Sequence, residues 1–352
     1  MYIRIGKEGT DMRKYLLPES GNFYKSNLHC HTTISDGTKT PKEIKELYMK
    51  KGYSIVAYTD HEVFLLHNDL TDDNFLAMNG FEVEIMNWYG RHPLRDCKVC
   101  HLCFVALDKS IELHPFWHRS KHVWGPAKEY KDQVKFDDSL KDYNWSYTPE
   151  SITEMMKIAR EEGFFVTLNH PNWSRETYDN YARYHGMHAL EIMNGGATAI
   201  GYEDYNPRVY DDILRGGEKI YCIGADDNHN ARPDDSRQSD SGWAWTTIKA
   251  DKLDYETISN ALLNGNFYAS EGPEIYDLYI EDGMVHIKCS PADRIVCTYD
   301  RRAAGVVFAE NGELVTEASF KADPELGYFR ITVRDEKGYV ACTNAYFPED
   351  YL

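Results

Sequence analysis

The sequence predicts an α/β protein that gives way to a small all-β region near its C-terminal end. Three observations carry this expectation. Strands alternate with helices over about 270 residues, histidines and carboxylates recur where those strands end, and short β-rich runs take over beyond Gly272-Pro273. The alternating part fits a parallel α/β barrel or a doubly wound sheet, and either architecture gathers functional side chains at the C-terminal ends of its strands.

The first β-α-β unit is NLHCHTTISDGTKTPKEIKELYMKKGYSIVAYTDHE. Asn27 to His31 and Ser54 to Thr59 read as strands, the second a mostly apolar run suited to a buried parallel position. Between them Thr40, Pro41 and Glu43 supply an N-cap, a proline at the first helical position and a capping-box glutamate. Ile44, Leu47 and Tyr48 form the apolar stripe, and Gly52 closes the helix. The pattern returns at Thr148-Pro149-Glu150, where Ile152, Met155, Met156 and Ala159 give a helical stripe that stops at Gly163. FFVTLNHP follows as a strand, then ALEIMN, a helix around Tyr210 to Arg215, and KIYCIGADD.

Residues 86–147 interrupt this rhythm with a stretch rich in Trp, Tyr, His and Lys and without a sustained period, which reads as an insertion or lid. After residue 272 the runs IYDLYI, MVHIKC, RIVCTYD, VVFAE and YFRITV, several separated by turns at EDG, ENG and DEKG, read as a small antiparallel sandwich. The expected domains are therefore 1–272 and 273–352.

Composition bounds the function. At 352 residues the chain is long enough for about two domains and a large core. It is 42% apolar with no run of 18 apolar residues, so a soluble globular protein is expected and a membrane is not an expected partner. Arg4, Lys7, Glu8 and Asp11 leave no room for a secretory h-region, so the cytoplasm is the expected location. In that reducing compartment the eight cysteines are expected to be free thiols. Lys plus Arg is 39 against 57 Asp plus Glu, a net charge of −18 that argues against duplex nucleic acid as the main partner. A small anionic substrate stays possible, because carboxylates that hold divalent cations count as negative in the tally and become locally positive once loaded.

Histidine stands out, with 14 residues. His29, His31, Asp36, Asp60, His61, Glu82, His101, His170, Asp227 and His229 all fall at or near expected strand ends. Residues two apart in a strand face the same way, so His29 with His31, and Asp227 with His229, can each address one ion. A single pair is weak evidence, whereas the ordered set points to a metal site. Mixed imidazole and carboxylate donors suit zinc, manganese or iron without separating them.

At these residues the sequence resembles the polymerase and histidinol phosphatase (PHP) family of metal-dependent phosphoesterases. NLHCHTTISDG, VAYTDHE, NGFEVE, HLCF, LNHPNW and GADDNH match its motifs in order over roughly residues 24–272, and NGNFYASEGP is similar to the segment that closes the catalytic domain in members with a C-terminal β domain. The resemblance implies a distorted (β/α)7 barrel followed by a small all-β domain. It also implies two or three divalent ions (Zn, Mn or Fe) in a trinuclear site. His29, His31, Glu82 and Asp227 would hold one ion, Glu82 would bridge to a second held by His101 and His170, and Asp36, His61 and His229 would hold the third. Metal-activated water would then hydrolyse a small phosphate ester, with a phosphorylated metabolite and a phosphomonoesterase reaction favoured over a nuclease. Two departures stand beside the motifs: Asp226 next to Asp227, and Glu84 near Glu82.

Other residues carry competing readings. Asp60 either orients His61 or simply ends its strand. CKVCH at 97–101 matches a c-type haem attachment pattern, but no export signal accompanies it; a zinc clip lacks a second CxxC, and free thiols remain the simpler reading. His114, His118 and His122 lie four apart beside Pro115, Trp117, Arg119, Lys121 and Trp124, either as a packed insertion or as a lid touching substrate. Arg232, Asn172 and Asn194 are the candidate substrate-binding residues, against a surface ion pair of Arg232 with Asp234 or Asp235. The rival functions are a metal-dependent hydrolase of a C–N or C–O bond, and a non-catalytic scaffold whose β domain binds a partner or carbohydrate.

Overall fold

The computed structural model describes residues 13–88 and 97–351. Strand β1 (Lys14–Tyr15) precedes β2 (Asn22–Asn27), and helix Pro41–Lys50 leads to β3 (Ile55–Tyr58). The long strands β4 (Leu76–Trp88) and β5 (Cys97–Ala106) come next, then helix Pro149–Glu161 and β6 (Phe164–Leu168). After β7 (Ala189–Asn194), helix Pro207–Arg215 and β8 (Tyr221–Ala225) come β9 (Trp245–Ala250), helix Tyr255–Leu263 and β10 (Phe267–Ser270). The C-terminal strands are β11 (Ile275–Glu281), β12 (Met284–Ala292), β13 (Arg294–Tyr299), β14 (Ala304–Phe308), β15 (Val315–Lys321), β16 (Phe329–Arg334) and β17 (Val340–Thr343).

The result is a mixed α/β fold with a 13-stranded sheet ordered β14-β13-β16-β17-β10-β9-β2-β3-β4-β5-β6-β7-β8. β2, β3 and β4 run parallel, as do β6, β7 and β8, but β5 lies antiparallel to both β4 and β6. The sheet curls far enough that the segments after β2 and β8 meet in a parallel bridge between Cys30 and Asn228. Helices cover it as their stripes require. Thr40 and Glu43 form the reciprocal cap of Pro41–Lys50. Helix Pro149–Glu161 buries Ile152, Met155, Met156 and Ala159, each large side chain contributing about 1.5–3 kcal/mol of burial.

Three expectations change. The first strand stops at Asn27 rather than His31, because Cys30 N–H donates to Thr59 Oγ1 (2.9 Å) and Cys30 O accepts from Thr59 N–H (2.9 Å), which interrupts the ladder. Within the region expected as an insertion, Cys97–Ala106 is an interior strand of the large sheet, paired on both sides and buried at every residue from Cys100 to Ala106. Among the described residues of that region, only 107–147 lies outside the sheet, with short 3-10 turns at Gly125–Glu129 and Lys131–Gln133. Finally, the C-terminal strands do not make a separate pair of sheets. β11, β12 and β15 join β1 in a four-stranded sheet, while β13, β14, β16 and β17 continue the large sheet through β10, across residues 272 and 273. Ile275, Leu278, Val285, Ile287, Phe329 and Ile331 pack in one core between these layers.

A buried ion pair fastens the last strands to the α/β part. Arg330 donates from Nε to Asp211 Oδ1 (2.8 Å) and from Nη2 to Oδ2 (2.9 Å), and Tyr328 Oη–H also reaches Asp211 (3.1 Å). Among the described residues no helix is long and apolar enough to cross a membrane.

Candidate metal centre

The bridge between Cys30 and Asn228 sets the centre. It lays two extended segments side by side, with His31 N–H donating to Asn228 O (3.1 Å) and Asp227 N–H to His29 O (3.0 Å). His29 and His31 flank Cys30 on one segment, and Asp227 and His229 flank Asn228 on the other, so both pairs open toward the same space. β4 contributes Glu82, its antiparallel neighbour β5 contributes His101, and the ends of β3 and β6 contribute His61 and His170. Asp36 comes from the turn that closes on Gly37, where a Cβ would stand 2.6 Å from His31 O.

These side chains converge on Glu82, which is fully buried. Glu82 Oε1 lies 3.1 Å from His29 Nε2, 3.3 Å from His101 Nδ1 and 3.6 Å from His170 Nε2. Glu82 Oε2 lies 3.3 Å from both His31 Nε2 and His61 Nδ1. Asp227 Oδ1 stands 3.2 Å from His29 Nε2 and 3.1 Å from His31 Nε2, while its Oδ2 stands 3.7 Å from His170 Nε2. On the outer side Asp36 Oδ2 is 3.3 Å from His229 Nε2. The donors fall into overlapping groups: His29, His31, Glu82 and Asp227; Glu82, His101 and His170; and His31, Asp36, His61 and His229.

This donor set fits divalent cations. Donor atoms around a tetrahedral ion with bonds of about 2.0–2.1 Å are separated by roughly 3.3–3.4 Å, which matches the nitrogen-to-oxygen spacing above. Among the described residues, the buried atoms His61 Nδ1 and Glu82 Oε2 find no hydrogen-bond partner. Leaving such atoms without a partner costs about 1–3 kcal/mol each, and a shared cation would satisfy both.

Electrostatics agrees. Burial opposes charge on His29 and His31, yet the surrounding carboxylates, Asp227 and Glu82 among them, outweigh it and hold both imidazoles well above their ordinary range. Burial likewise opposes ionisation of Glu82 and Asp227, but the histidines around them keep both well below the usual carboxylate range. His101 rises to about 10 because Glu82 and Glu84 overcome its burial, whereas burial and the neighbouring His31 push His61 down to about 3. Such a set trades protons for cations readily, since ligation requires neutral imidazole and ionised carboxylate.

A second layer holds these donors in place. The buried Glu191 on β7 lies 3.0 Å from His29 Nδ1 through Oε1 and accepts from the His170 N–H at 2.8 Å through Oε2. Asn169 Nδ2 donates to Glu82 Oε1 at 2.7 Å. Neither residue was singled out from the sequence, although Glu191 left a signal: a lone carboxylate within the otherwise apolar run ALEIM. Glu84 Oε2 pairs with His101 Nε2 at 3.2 Å. His170 and Asp227 carry positive φ values of 27° and 51°, strain that the surrounding contacts must sustain.

The competing readings separate. Asp226 is turned away from the cluster, accepting from Gly242 N–H, Trp243 N–H, Ala244 N–H and Tyr48 Oη–H, and burial raises it to about 6 despite those bonds. Asp60 does not orient His61. It accepts from Thr32 N–H (2.7 Å), Thr32 Oγ1–H (2.8 Å) and Ser35 Oγ–H (2.7 Å), which fixes the turn leading to Asp36. Asn194, expected to meet substrate, instead donates to Glu191 Oε2 (2.9 Å) and Asp227 Oδ2 (3.2 Å) while its Oδ1 caps the helix at Ala197. Asn172 donates to Glu203 O (3.1 Å), and Arg232 is exposed while Lys39 takes the ion pair with Asp234. Cys97 and Cys100 sit on a strand, where residues three apart face opposite sides, and all eight cysteines are free. The histidines of the 107–147 segment are not on a helix. His114 packs on Phe81 (4.3 Å between rings), but Trp124 reaches His61 (4.9 Å) at the rim of the centre.

No family model matches the chain. A stretch of 64 residues is 39% identical to the DNA polymerase/3'-5' exonuclease PolX of Bacillus subtilis (strain 168), covering 18% of this chain and 11% of that protein. A two-domain protein from Bacteroides vulgatus ATCC 8482, described as containing a predicted PHP-like metal-dependent phosphoesterase, aligns over 96% of this chain and 100% of its own at 16% identity and a TM-score of 0.46. Two further solved structures show smaller overlap, each with a TM-score of 0.34 and 17% identity. One is a candidate metal-dependent phosphoesterase from Bifidobacterium adolescentis ATCC 15703, over 60% of this chain and 89% of that one. The other is an amidohydrolase from Chromobacterium violaceum with bound sulfate, over 58% and 87%.

Proposed function

We propose that this protein is a metal-dependent phosphoesterase that hydrolyses a small phosphomonoester at a trinuclear centre. The curled run β2 to β8 then serves as a distorted PHP-type barrel over residues 1–272, with 273–352 as an appended β domain. The observation that carries the reading is Glu82, whose two oxygens face five imidazoles while Oε2 makes no hydrogen bond.

His29, His31, Glu82 and Asp227 would hold one ion, Glu82 with His101 and His170 a second, and Asp36, His61 and His229 a third. Divalent ions in such sets lower the pKa of water and offset charge on phosphoryl oxygens during in-line displacement. The chain's own contribution is rigidity. Glu191 and Asn194 fix His29, His170 and Asp227, Asp60 ties down the turn carrying Asp36, and Asn169 holds Glu82. A net charge of −18 keeps the expected substrate small.

The test is a screen of phosphorylated metabolites with manganese, zinc or iron, with His29→Ala as control. Equal activity in the variant would assign the reaction to a contaminant. One observation favours a second reading: Arg232, the expected phosphate-binding cation, is exposed. Including amide and carboxylic ester substrates in the same screen decides whether a C–N or C–O bond is cleaved instead. Fewer than about one ion per purified chain would leave the scaffold reading standing.

A further inference from the structure

A cavity of about 460 Å³ adjoins the centre, lined by Glu62, Glu84, Met86, His122, Trp124 and Trp145. It touches the centre at two points. Glu84 Oε2 is 3.2 Å from His101 Nε2, and the Trp124 ring lies 4.9 Å from that of His61. The far wall is a stack, with the His122 and Trp145 rings 3.6 Å apart and inclined by 22°. His122 in that stack has φ 72°, an unfavourable conformation for a residue with a side chain. The 107–147 segment thus places three ring systems beside two carboxylates and a thioether, next to where a phosphate ester would be cleaved.

Rings grouped around acidic side chains bind an ammonium group by cation–π attraction and charge. Both carboxylates are already engaged, Glu62 Oε1 accepting from Glu84 N–H (2.8 Å) and Glu84 Oε2 facing His101. Burial holds the Glu62 carboxyl well above the usual carboxylate range, so the charge that the recess offers a ligand is that of Glu84, and neither group is a free acceptor. A quaternary ammonium, which has no N–H to donate, matches that offer. Trp124 Nε1–H is buried and finds no hydrogen-bond partner among the described residues, and its ring lines the recess on one side and meets that of His61 on the other.

We infer that this recess receives the leaving group of the substrate, and that the leaving group is an alcohol bearing a quaternary ammonium. The inference rests on the phosphoesterase reading. Hydrolysis would form a P–O bond from water, break the P–O bond to the amino alcohol, and pass a proton from that water to the departing oxygen.

Two measurements separate the recess from the reaction. In metal-free protein, tetramethylammonium should quench tryptophan fluorescence saturably, and Trp145→Leu should abolish this while Trp145→Phe retains it. With metal, choline phosphate should be hydrolysed with a kcat/KM about tenfold above that of its neutral isostere 3,3-dimethylbutyl phosphate. That ratio should approach one in Trp145→Leu. If Trp145→Leu does not fold, Met86→Lys, which sets a like charge at the exposed rim, must remove the same preference. Absence of tetramethylammonium binding, or a ratio that survives these substitutions, overturns the inference. Ammonium binding without hydrolysis of either ester sinks the phosphoesterase reading and leaves the recess, whereas hydrolysis without preference does the reverse.

Discussion

Glu191 Oε1 lies 3.0 Å from His29 Nδ1, and this contact decides which imidazole nitrogen faces Glu82. With Nδ1 turned to a carboxylate, Nε2 presents its lone pair to the centre. The same carboxylate grips the His170 backbone through its other oxygen, so one buried side chain on β7 aligns two of the converging histidines.

Glu191→Ala should therefore lower metal affinity by about 10–100-fold, the usual effect of losing an orienting partner behind a ligand. Glu191→Gln, which keeps an acceptor opposite Nδ1, should lose less. Titration of metal-free protein with zinc or manganese measures both, and equal affinity in all three proteins would show that His29 is oriented by something else.

Glu82→Gln should reduce bound metal by at least about one ion per chain, because the neutral amide cannot serve two ion sites at once. Elemental analysis after dialysis is the measurement. A variant with undiminished metal content would remove Glu82 from the ligand set and with it the main support for a multinuclear centre.

Burial pushes Glu176 up to about 7, against the lowering effect of hydrogen bonds from Tyr147 and Tyr184. A carboxyl raised in the fold binds its proton more tightly there than in the unfolded chain. Its contribution to stability is thus complete below about pH 4.3 and is lost as pH rises through about 7. Wild type should lose on the order of 1–3 kcal/mol relative to Glu176→Gln between pH 4.5 and 8. Urea unfolding of both proteins across that interval checks it, and parallel pH profiles would contradict the assignment.

Arg330→Met should destabilise the protein by about 3–5 kcal/mol, since it leaves Asp211 buried without its partner. Adding Asp211→Leu should recover much of that loss. Urea unfolding at constant pH is the readout, and metal content should stay unchanged because the pair joins the last strands to helix Pro207–Arg215 rather than to the centre. A single variant as stable as wild type would show that the ion pair does not hold these layers together.

Much of the candidate centre's donor set was legible because close spacing survives folding. His29 with His31 and Asp227 with His229 keep their two-residue relation on any extended backbone, and capping residues such as Thr40 and Glu43 act within one turn. Helix starts and most strands follow from such local chemistry. The supporting residues do not. Glu191 and Asn169 look like ordinary polar residues until β4 and β7 bring them within hydrogen-bond reach of partners 87 or more positions away. Asp60 and Asn194 were noticed for the right location, but the turn and helix end that claim them are set by tertiary packing.

The sequence by itself determined the α/β alternation, the β-rich C-terminal end and the ordered donor residues, all of which depend on periodicity and short spacing. Only the tertiary structure decided that Cys97–Ala106 is an interior antiparallel strand and that the C-terminal strands divide between two sheets. It also separated Asp227 from Asp226 and set Trp124 and Trp145 beside the centre. The physical reason is that strand pairing and side-chain convergence depend on which distant segments share a buried face, and a one-dimensional pattern does not encode that choice of partner.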